Sequence, residues 1–256
     1  MDAGFVLKSG DYVGFTFFIG AMAMLAASVF FFFERQRVDE RWKLSLLVSG
    51  LITFIAFVHY QYMKEVWALT QTSPTEFRYI DWSLTVPLMC AEFFLLLKPA
   101  GAKVELLWKL ILASVVMLVA GYIGESYLLL PGVDRAAIDP SYTGPYSILW
   151  GTISTLGWAY IIYEIFFGDA RRLAESTDNP KVKAAFVLMR NFVFIGWAIY
   201  PIGYMFMPGN LLNLTNSVGD SVSSLINIIY NIGDAVNKVG FGLVIWSMAI
   251  ADSGKA

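Results

Sequence analysis

Apolar residues along this chain run in long blocks separated by short polar stretches. Seven blocks are long enough to count, at roughly Tyr12–Phe33, Leu44–Met63, Phe77–Leu97, Leu106–Leu130, Ser147–Phe167, Ala184–Met207 and Val222–Ala251. A membrane-crossing helix needs about 20 mostly apolar residues, and seven spans of about 22 use about 154 positions. In a chain of 256 residues that leaves short loops and no room for a separate soluble domain. The pattern predicts an all-α membrane protein, a seven-transmembrane-helix bundle filling residues 1–256 as one domain. The first block lacks a basic N-terminal flank and ends in FFFFERQR without a small-residue cleavage site, so it reads as a span and not a cleavable signal. The most polar loop is Gly168–Pro180.

Composition narrows the class further. Hydrophobic residues make up 57% of the chain and charged residues 15%, where a soluble domain has about 25% charged. Aromatic residues reach 16%. A soluble globule, a disordered chain and a collagen-like chain are excluded. The lone Cys90 excludes an internal disulfide. A net charge of −2 and the lack of long basic runs argue against a nucleic-acid partner, and no metal site is expected. The lipid bilayer is the partner that remains. Lysine and arginine set the orientation. With the N-terminus outside and the C-terminus cytoplasmic, thirteen of them fall on the cytoplasmic side and three (Lys8, Lys64 and Arg135) outside.

The remaining two cations, Arg78 and Lys238, lie inside spans, where an ionisable group costs about 2.5–3.5 kcal/mol on insertion scales. The third block reads FRYIDWSLTVPLMCAEFFLLLK and holds Arg78, Asp81 and Glu92; the seventh reads NIGDAVNKVGFGLVIW and holds Asp234 and Lys238. His59, the only histidine, is in the second. Arg78, Asp81, Thr85 and Glu92 are spaced by 3, 4 and 7 and share one helix face. Asp81 and Glu92 are then about 16 Å apart along the axis. Asn231, Asp234 and Lys238 share a face of the last helix, with Asp234 and Lys238 an i,i+4 pair. Simple ion pairing, Lys238 with Asp234 and Arg78 with Asp81, is one reading. Intramembrane charges more often line a pathway or hold a ligand. Glu92 has no cationic partner in its own helix and is a candidate proton carrier. A desolvated lysine can condense with an aldehyde, and Asp81 and Asp234 are available as counter-ions.

At these residues the chain resembles the microbial (type 1) rhodopsins, in their proteorhodopsin branch of light-driven proton pumps. The segments RYIDWSLTVPL with Glu92 and DAVNK carry the resemblance, supported by VFFFFER, GLITFIAFVHYQYM, GYIGE and WAIYPIGY. The resemblance implies all-trans retinal bound as a Schiff base to Lys238. It implies Asp81 as primary proton acceptor and counter-ion, Asp234 as second counter-ion and Glu92 as cytoplasmic proton donor. Arg78 would modulate Asp81 from the exterior side, and His59 would hydrogen-bond to Asp81 and tune it. Trp82, Trp158, Trp197, Tyr200, Pro201 and Tyr204 would form the aromatic retinal pocket, and light would isomerise retinal from all-trans to 13-cis.

The residues at 81, 85 and 92 separate subfamilies. Asp, Thr and Glu resemble the proton pumps; sodium pumps carry Asn, Asp and Gln, chloride pumps lack the first carboxylate, and sensors usually lack the last. A photosensory rhodopsin signalling through a partner is the alternative. Met89 falls at the colour-tuning position, where an apolar residue resembles the green-absorbing type. The glutamate pair that releases protons in archaeal pumps is replaced at the matching positions by Gly209 and Ile226, which leaves the release group unassigned. Gly151 stands where some relatives place a bulky aromatic. It is either a window for a carotenoid antenna, as in the xanthorhodopsin-like pumps, or a small residue for close helix packing. The resemblance further implies a bacterial inner-membrane location and a homo-oligomer, pentamer or hexamer, with His59 near a protomer boundary.

Overall fold

A chain crossing a bilayer must satisfy its own backbone N–H and C=O groups, because hydrocarbon offers none in exchange. Long apolar blocks therefore fold as helices. The computed structural model describes residues 7–126, 140–206, 210, 212 and 220–254, with side chains described outside 140–144 and 220–223. Among the described residues all regular structure is helical: α1 (Tyr12–Glu34), α2 (Glu40–Thr70), α3 (Thr75–Leu97), α4 (Val104–Ser126), α5 (Pro140–Phe166), α6 (Asp169–Ser176), α7 (Pro180–Asn191), α8 (Ile199–Met205) and α9 (Asp220–Asp252). A π-helical stretch, Phe192–Gly196, joins α7 to α8, so that Pro180–Met205 is one span. Five long helices (α1 to α4 and α9) and this joined span are long and apolar enough to cross a membrane. The seventh, α5, has 27 residues.

Neighbours in sequence pack side by side, α1 on α2, α2 on α3, α3 on α4 and α4 on α5. Contacts of α9 with α1, α2 and α7 close the ring. The helices overrun the predicted apolar blocks where polar ends keep helical geometry. In α2 the run continues to Thr70 and stops at Gln71, whose φ of 54° is left-handed and whose N–H donates to the Trp67 carbonyl at 2.8 Å. The predicted ends of the fourth and sixth blocks, Tyr127–Leu130 and Met207, lie outside the described residues.

The Gly168–Pro180 segment, expected as a loop, contains the short helix α6. Its start is fixed from the end of α5, where Glu164 Oε2 accepts the Asp169 N–H at 3.1 Å. Ala170 and Ala174, four apart, bury one face. Lys109 donates to Asp169 at 2.7 Å and holds that carboxyl below its usual range.

One end of the bundle is laced by Asp252. Its carboxylate accepts from Trp42 Nε1 at 2.8 Å and Asn179 Nδ2 at 2.6 Å and pairs with Arg41 at 2.6 Å. Asn179 is also the N-cap of α7, accepting from the Lys181 and Val182 N–H groups. The last turn of α9 therefore fixes the starts of α2 and α7.

Candidate functional site

The face of α3 predicted from spacing is the innermost surface of the bundle. Asp81, Thr85 and Glu92 are fully buried, and Arg78 is 1% exposed. From α9, Lys238 reaches the same interior and is 2% exposed. Its Nζ donates to Asp81 Oδ2 at 2.8 Å and to Asp234 Oδ2 at 2.6 Å. The amine is thus clamped between carboxylates from two helices.

The two acids differ in their other partners. Asp234 also accepts from Tyr60 Oη at 3.1 Å, Trp82 Nε1 at 3.2 Å and Tyr200 Oη at 2.9 Å. With Lys238 that makes four donors, a set that favours a fixed anion. Asp81 has Lys238 alone, and its Oδ1 is buried without a hydrogen-bond partner. The expected His59–Asp81 hydrogen bond is a 3.6 Å approach instead, longer than a hydrogen bond. His59 Nδ1 lies 2.9 Å from the Ile55 carbonyl one turn back, which takes up its hydrogen.

Arg78 does not pair with Asp81. Its guanidinium donates to Asn227 at 2.9 Å and to Asn231 at 3.2 Å, and stacks over the rings of Phe17 and Tyr230. The pairing that does form is Lys238 with Asp234, joined by Asp81. Thr85 donates to the Asp81 backbone carbonyl at 2.9 Å. Glu92 sits farther along α3, where its Oε1 accepts from Ser49 Oγ of α2 at 2.9 Å and its Oε2 has no partner.

Beside Lys238 lies a cavity of about 280 Å³, lined by Trp82, Met89, Gly151, Trp158, Trp197, Tyr200, Pro201 and Tyr204. That is near the lower end for small-molecule pockets, about 300 Å³. Its chemistry fits retinal: flat aromatic walls for a polyene, and at the end a buried primary amine flanked by two acids. The rings hold one another edge-on, Trp82 against Tyr200 at 4.9 Å and against Tyr79 at 5.1 Å. Trp158 is fixed by donating to the Val193 carbonyl at 3.1 Å.

Gly151 is part of this wall. A Cβ there would come within 2.5 Å of Tyr204 Cε1, so the missing side chain is the space that Tyr204 occupies. Close packing thus accounts for the glycine. Exposed Ile148, Thr152 and Leu156 line the same cavity, which therefore opens to the outer face of α5 at this point.

Several site residues carried no separate signal in the sequence. Tyr60 neighbours His59 but looks like one aromatic among many. Ser49 and Asn227 are small polar residues inside spans, and only their partners show their role. Of the two positions matched to the archaeal release pair, Ile226 is buried and Gly209 lies outside the described residues.

A ring of seven helices around a buried lysine and two carboxylates defines the class, and the family comparison agrees. Residues 11–251 match the model of the bacteriorhodopsin-like proteins, and the chain belongs to that family. It is 44% identical to the green-light absorbing proteorhodopsin of Gamma-proteobacterium EBAC31A08 over 252 residues, 98% of this chain and 91% of the relative. It is also 44% identical to the blue-light absorbing proteorhodopsin of Gamma-proteobacterium Hot 75m4 over 256 residues, 99% and 92% of the two chains. Among solved structures, blue light-absorbing proteorhodopsin from Med12 superposes with a TM-score of 0.73 at 39% identity, covering 94% of this chain and 99% of that one. Xanthorhodopsin, described as a light-driven ion pump with dual chromophore, gives 0.77 at 27% identity, covering 97% of each.

Proposed function

We propose that this chain is a light-driven pump that moves protons outward across a bacterial inner membrane, with retinal joined to Lys238. The observation that carries the reading is the Lys238 amine, buried between Asp81 and Asp234 at the end of an aromatic cavity. The names of the relatives support it. Retinal, when bound as a Schiff base, supplies light absorption and an all-trans to 13-cis isomerisation. Trp82, Trp197, Tyr200 and Tyr204 would hold it, and the packed rings would keep water from its length.

The residues divide the work by their hydrogen bonds. Four donors keep Asp234 an anion, so it stays a counter-ion. Asp81, with one donor and an open Oδ1, is the free acceptor for the proton on Lys238 Nζ, 2.8 Å away. His59 at 3.6 Å is near enough to bias that step electrostatically. Asp81, Asp234 and Lys238 are joined by hydrogen bonds, so their protonation is a property of the three together. Glu92, three turns along α3, returns a proton to Nζ from the other side. With the orientation given by the lysines and arginines, Glu92 faces the cytoplasm and Arg78 the exterior. Glu92→Gln should leave the first transfer intact and slow recovery of the dark state by about 10²-fold, the low end for a positioned acid. Added azide should partly restore it. Flash photolysis reads both, and an unchanged recovery would remove Glu92 as donor.

The whole reading is tested by illuminating unbuffered cells that express the chain with all-trans retinal. Sustained external acidification, abolished by a protonophore, is the expected result. A coloured protein with no acidification would favour the photosensory alternative. Green- and blue-absorbing relatives are equally identical to this chain. Colour is therefore assigned from Met89, whose apolar side chain in the cavity wall points to green.

A second chromophore is supported by the opening at Gly151 and by the likeness to xanthorhodopsin. Adding a hydroxylated carotenoid should bring a carotenoid band into the action spectrum; an unchanged spectrum would leave Gly151 with packing alone. A homo-oligomer with the partly exposed His59 near its boundary completes the proposal.

A further inference from the structure

A second cavity, of about 350 Å³, lies between α6 and α7, at the end of the bundle that the lysines and arginines assign to the cytoplasm. Two helix faces build it. On α6, Arg171 and Glu175 are one turn apart; on α7, Lys183, Phe186, Val187 and Arg190 are spaced by 3, 1 and 3. The charges on this wall do not balance. Glu175 pairs with Arg171 at 2.7 Å, and Arg171 also donates to the Phe166 carbonyl at 3.0 Å. Among the described residues, the side chains of Lys183 and Arg190 make no ion pair and no hydrogen bond. The cavity therefore carries two cations without a counter-charge.

Arg190 is the sharper of the two signals. Sequence counts it with the cytoplasmic cations, but it stands ten residues into the Pro180–Met205 span, about 15 Å along the axis from its start. The residue is half-buried, and its Nε is fully enclosed without a hydrogen-bond partner. Its guanidinium lies over the ring of Phe166, 4.4 Å from the centroid. Phe166, the last residue of α5, thus sets both arginines, one by its carbonyl and one by its ring. The ring steadies the cation but leaves its N–H groups without an oxygen. An enclosed donor with no acceptor is costly, and more so when it is charged. An anion in the cavity supplies the missing acceptor and the missing charge together.

The wall also says what kind of anion. A guanidinium fork beside an ammonium is suited to phosphate oxygens. Val187 is 41% exposed, and Leu188 next to it 51%, on the outer face of a membrane-crossing helix. The cavity is therefore bordered by lipid, and Phe186 and Val187 give it an apolar side. Basic pockets between spanning helices on the cytoplasmic side suit anionic headgroups. We infer that the α6–α7 cavity binds the phosphodiester of an anionic phospholipid of the cytoplasmic leaflet. Arg190 and Lys183 supply the charge, and Phe186 and Val187 meet the apolar part of the lipid. The site is separate from the retinal cavity and does not depend on the pumping cycle.

The test is native mass spectrometry of the full chain, released from detergent micelles doped with phosphatidylglycerol or with phosphatidylcholine. One phosphatidylglycerol per chain should be held at least about tenfold more tightly than phosphatidylcholine, the worth of a charged hydrogen bond. Lys183→Gln, at an exposed side chain, should weaken the hold about fivefold, as for one cation near a lipid surface. Arg190→Gln should weaken it about tenfold or more. Arg190→Lys, which keeps the charge and loses the fork, should fall between Arg190→Gln and the parent. Lys103→Gln removes an exposed cation elsewhere on the same side and should leave the hold unchanged. If Arg190→Gln fails to fold, Lys183→Gln and Arg190→Lys decide. Equal retention of the two lipids overturns the assignment, as does equal weakening by Lys103→Gln, which would reduce the effect to general surface attraction. Full retention in the Lys183 and Arg190 variants overturns it too. Millimolar inorganic phosphate present during lipid uptake should not prevent it; if it does, the occupant is a free anion and the lipid assignment fails.

Discussion

Replacing Lys238 by alanine should give a colourless protein however much retinal is supplied. The amine is the one nucleophile in the cavity wall able to form a stable imine with an aldehyde. The substitution also strips Asp81 and Asp234 of the cation 2.8 and 2.6 Å away. Removing one partner of a buried ion pair costs about 3–5 kcal/mol, unless an acid takes up a proton. The variant should therefore unfold at lower temperature than the parent opsin, and less so at acid pH. Visible absorbance after reconstitution and thermal unfolding at two pH values check the two halves separately. A coloured Lys238→Ala protein would end the proposed function.

The second large effect is expected from Asp81→Asn: the pigment forms, its band moves to the red, and pumping stops. The sign follows from where the charge sits. In the dark state the positive charge is concentrated near Nζ, and excitation spreads it away. A carboxylate 2.8 Å from Nζ stabilises the dark state more than the excited one. Neutralising it narrows the gap. The amide accepts no proton, so outward transfer loses its first stop. Acidifying the unaltered protein until Asp81 is protonated should shift the band the same way. Asp234→Asn should differ, because four donors would lose their anion at once, and Tyr60, Trp82 and Tyr200 would be left with a weaker acceptor. An Asp81→Asn protein that still pumps would move the acceptor role elsewhere.

Much of this site was legible in the sequence because charge is so expensive in hydrocarbon. Asp81, Glu92, Asp234 and Lys238 announce themselves by occurring in apolar blocks at helical spacing. The aromatic wall was legible only through the resemblance, since rings at spacings of three and four are also ordinary packing. Orientation of side chains was not legible. Arg78 is one turn from Asp81, and spacing allows them to pair; the structure turns the guanidinium towards Asn227 and Asn231, where two amide oxygens and two rings receive it. The resemblance implies a His59–Asp81 hydrogen bond, but the turn before His59 offers a nearer acceptor. Periodicity cannot show such competition between a distant partner and a local carbonyl. The α6 helix escaped for another reason: it is short and polar, and its start depends on Glu164 from the preceding helix.

The π-helical stretch between α7 and α8 has a geometric consequence for the cavity. There the Trp197 N–H donates to the Phe192 carbonyl, five residues back, at 3.1 Å. Such a bulge adds one residue to the helical count, and one residue advances an α-helix by about 100°. Everything downstream is phased by that addition, including Trp197, Tyr200 and Tyr204. The bulge is pinned by Asn237, next to Lys238, whose side chain donates to the Gly196 carbonyl at 3.0 Å. The angular setting of the ring wall and the seat of the amine are thus indexed to each other by a single amide.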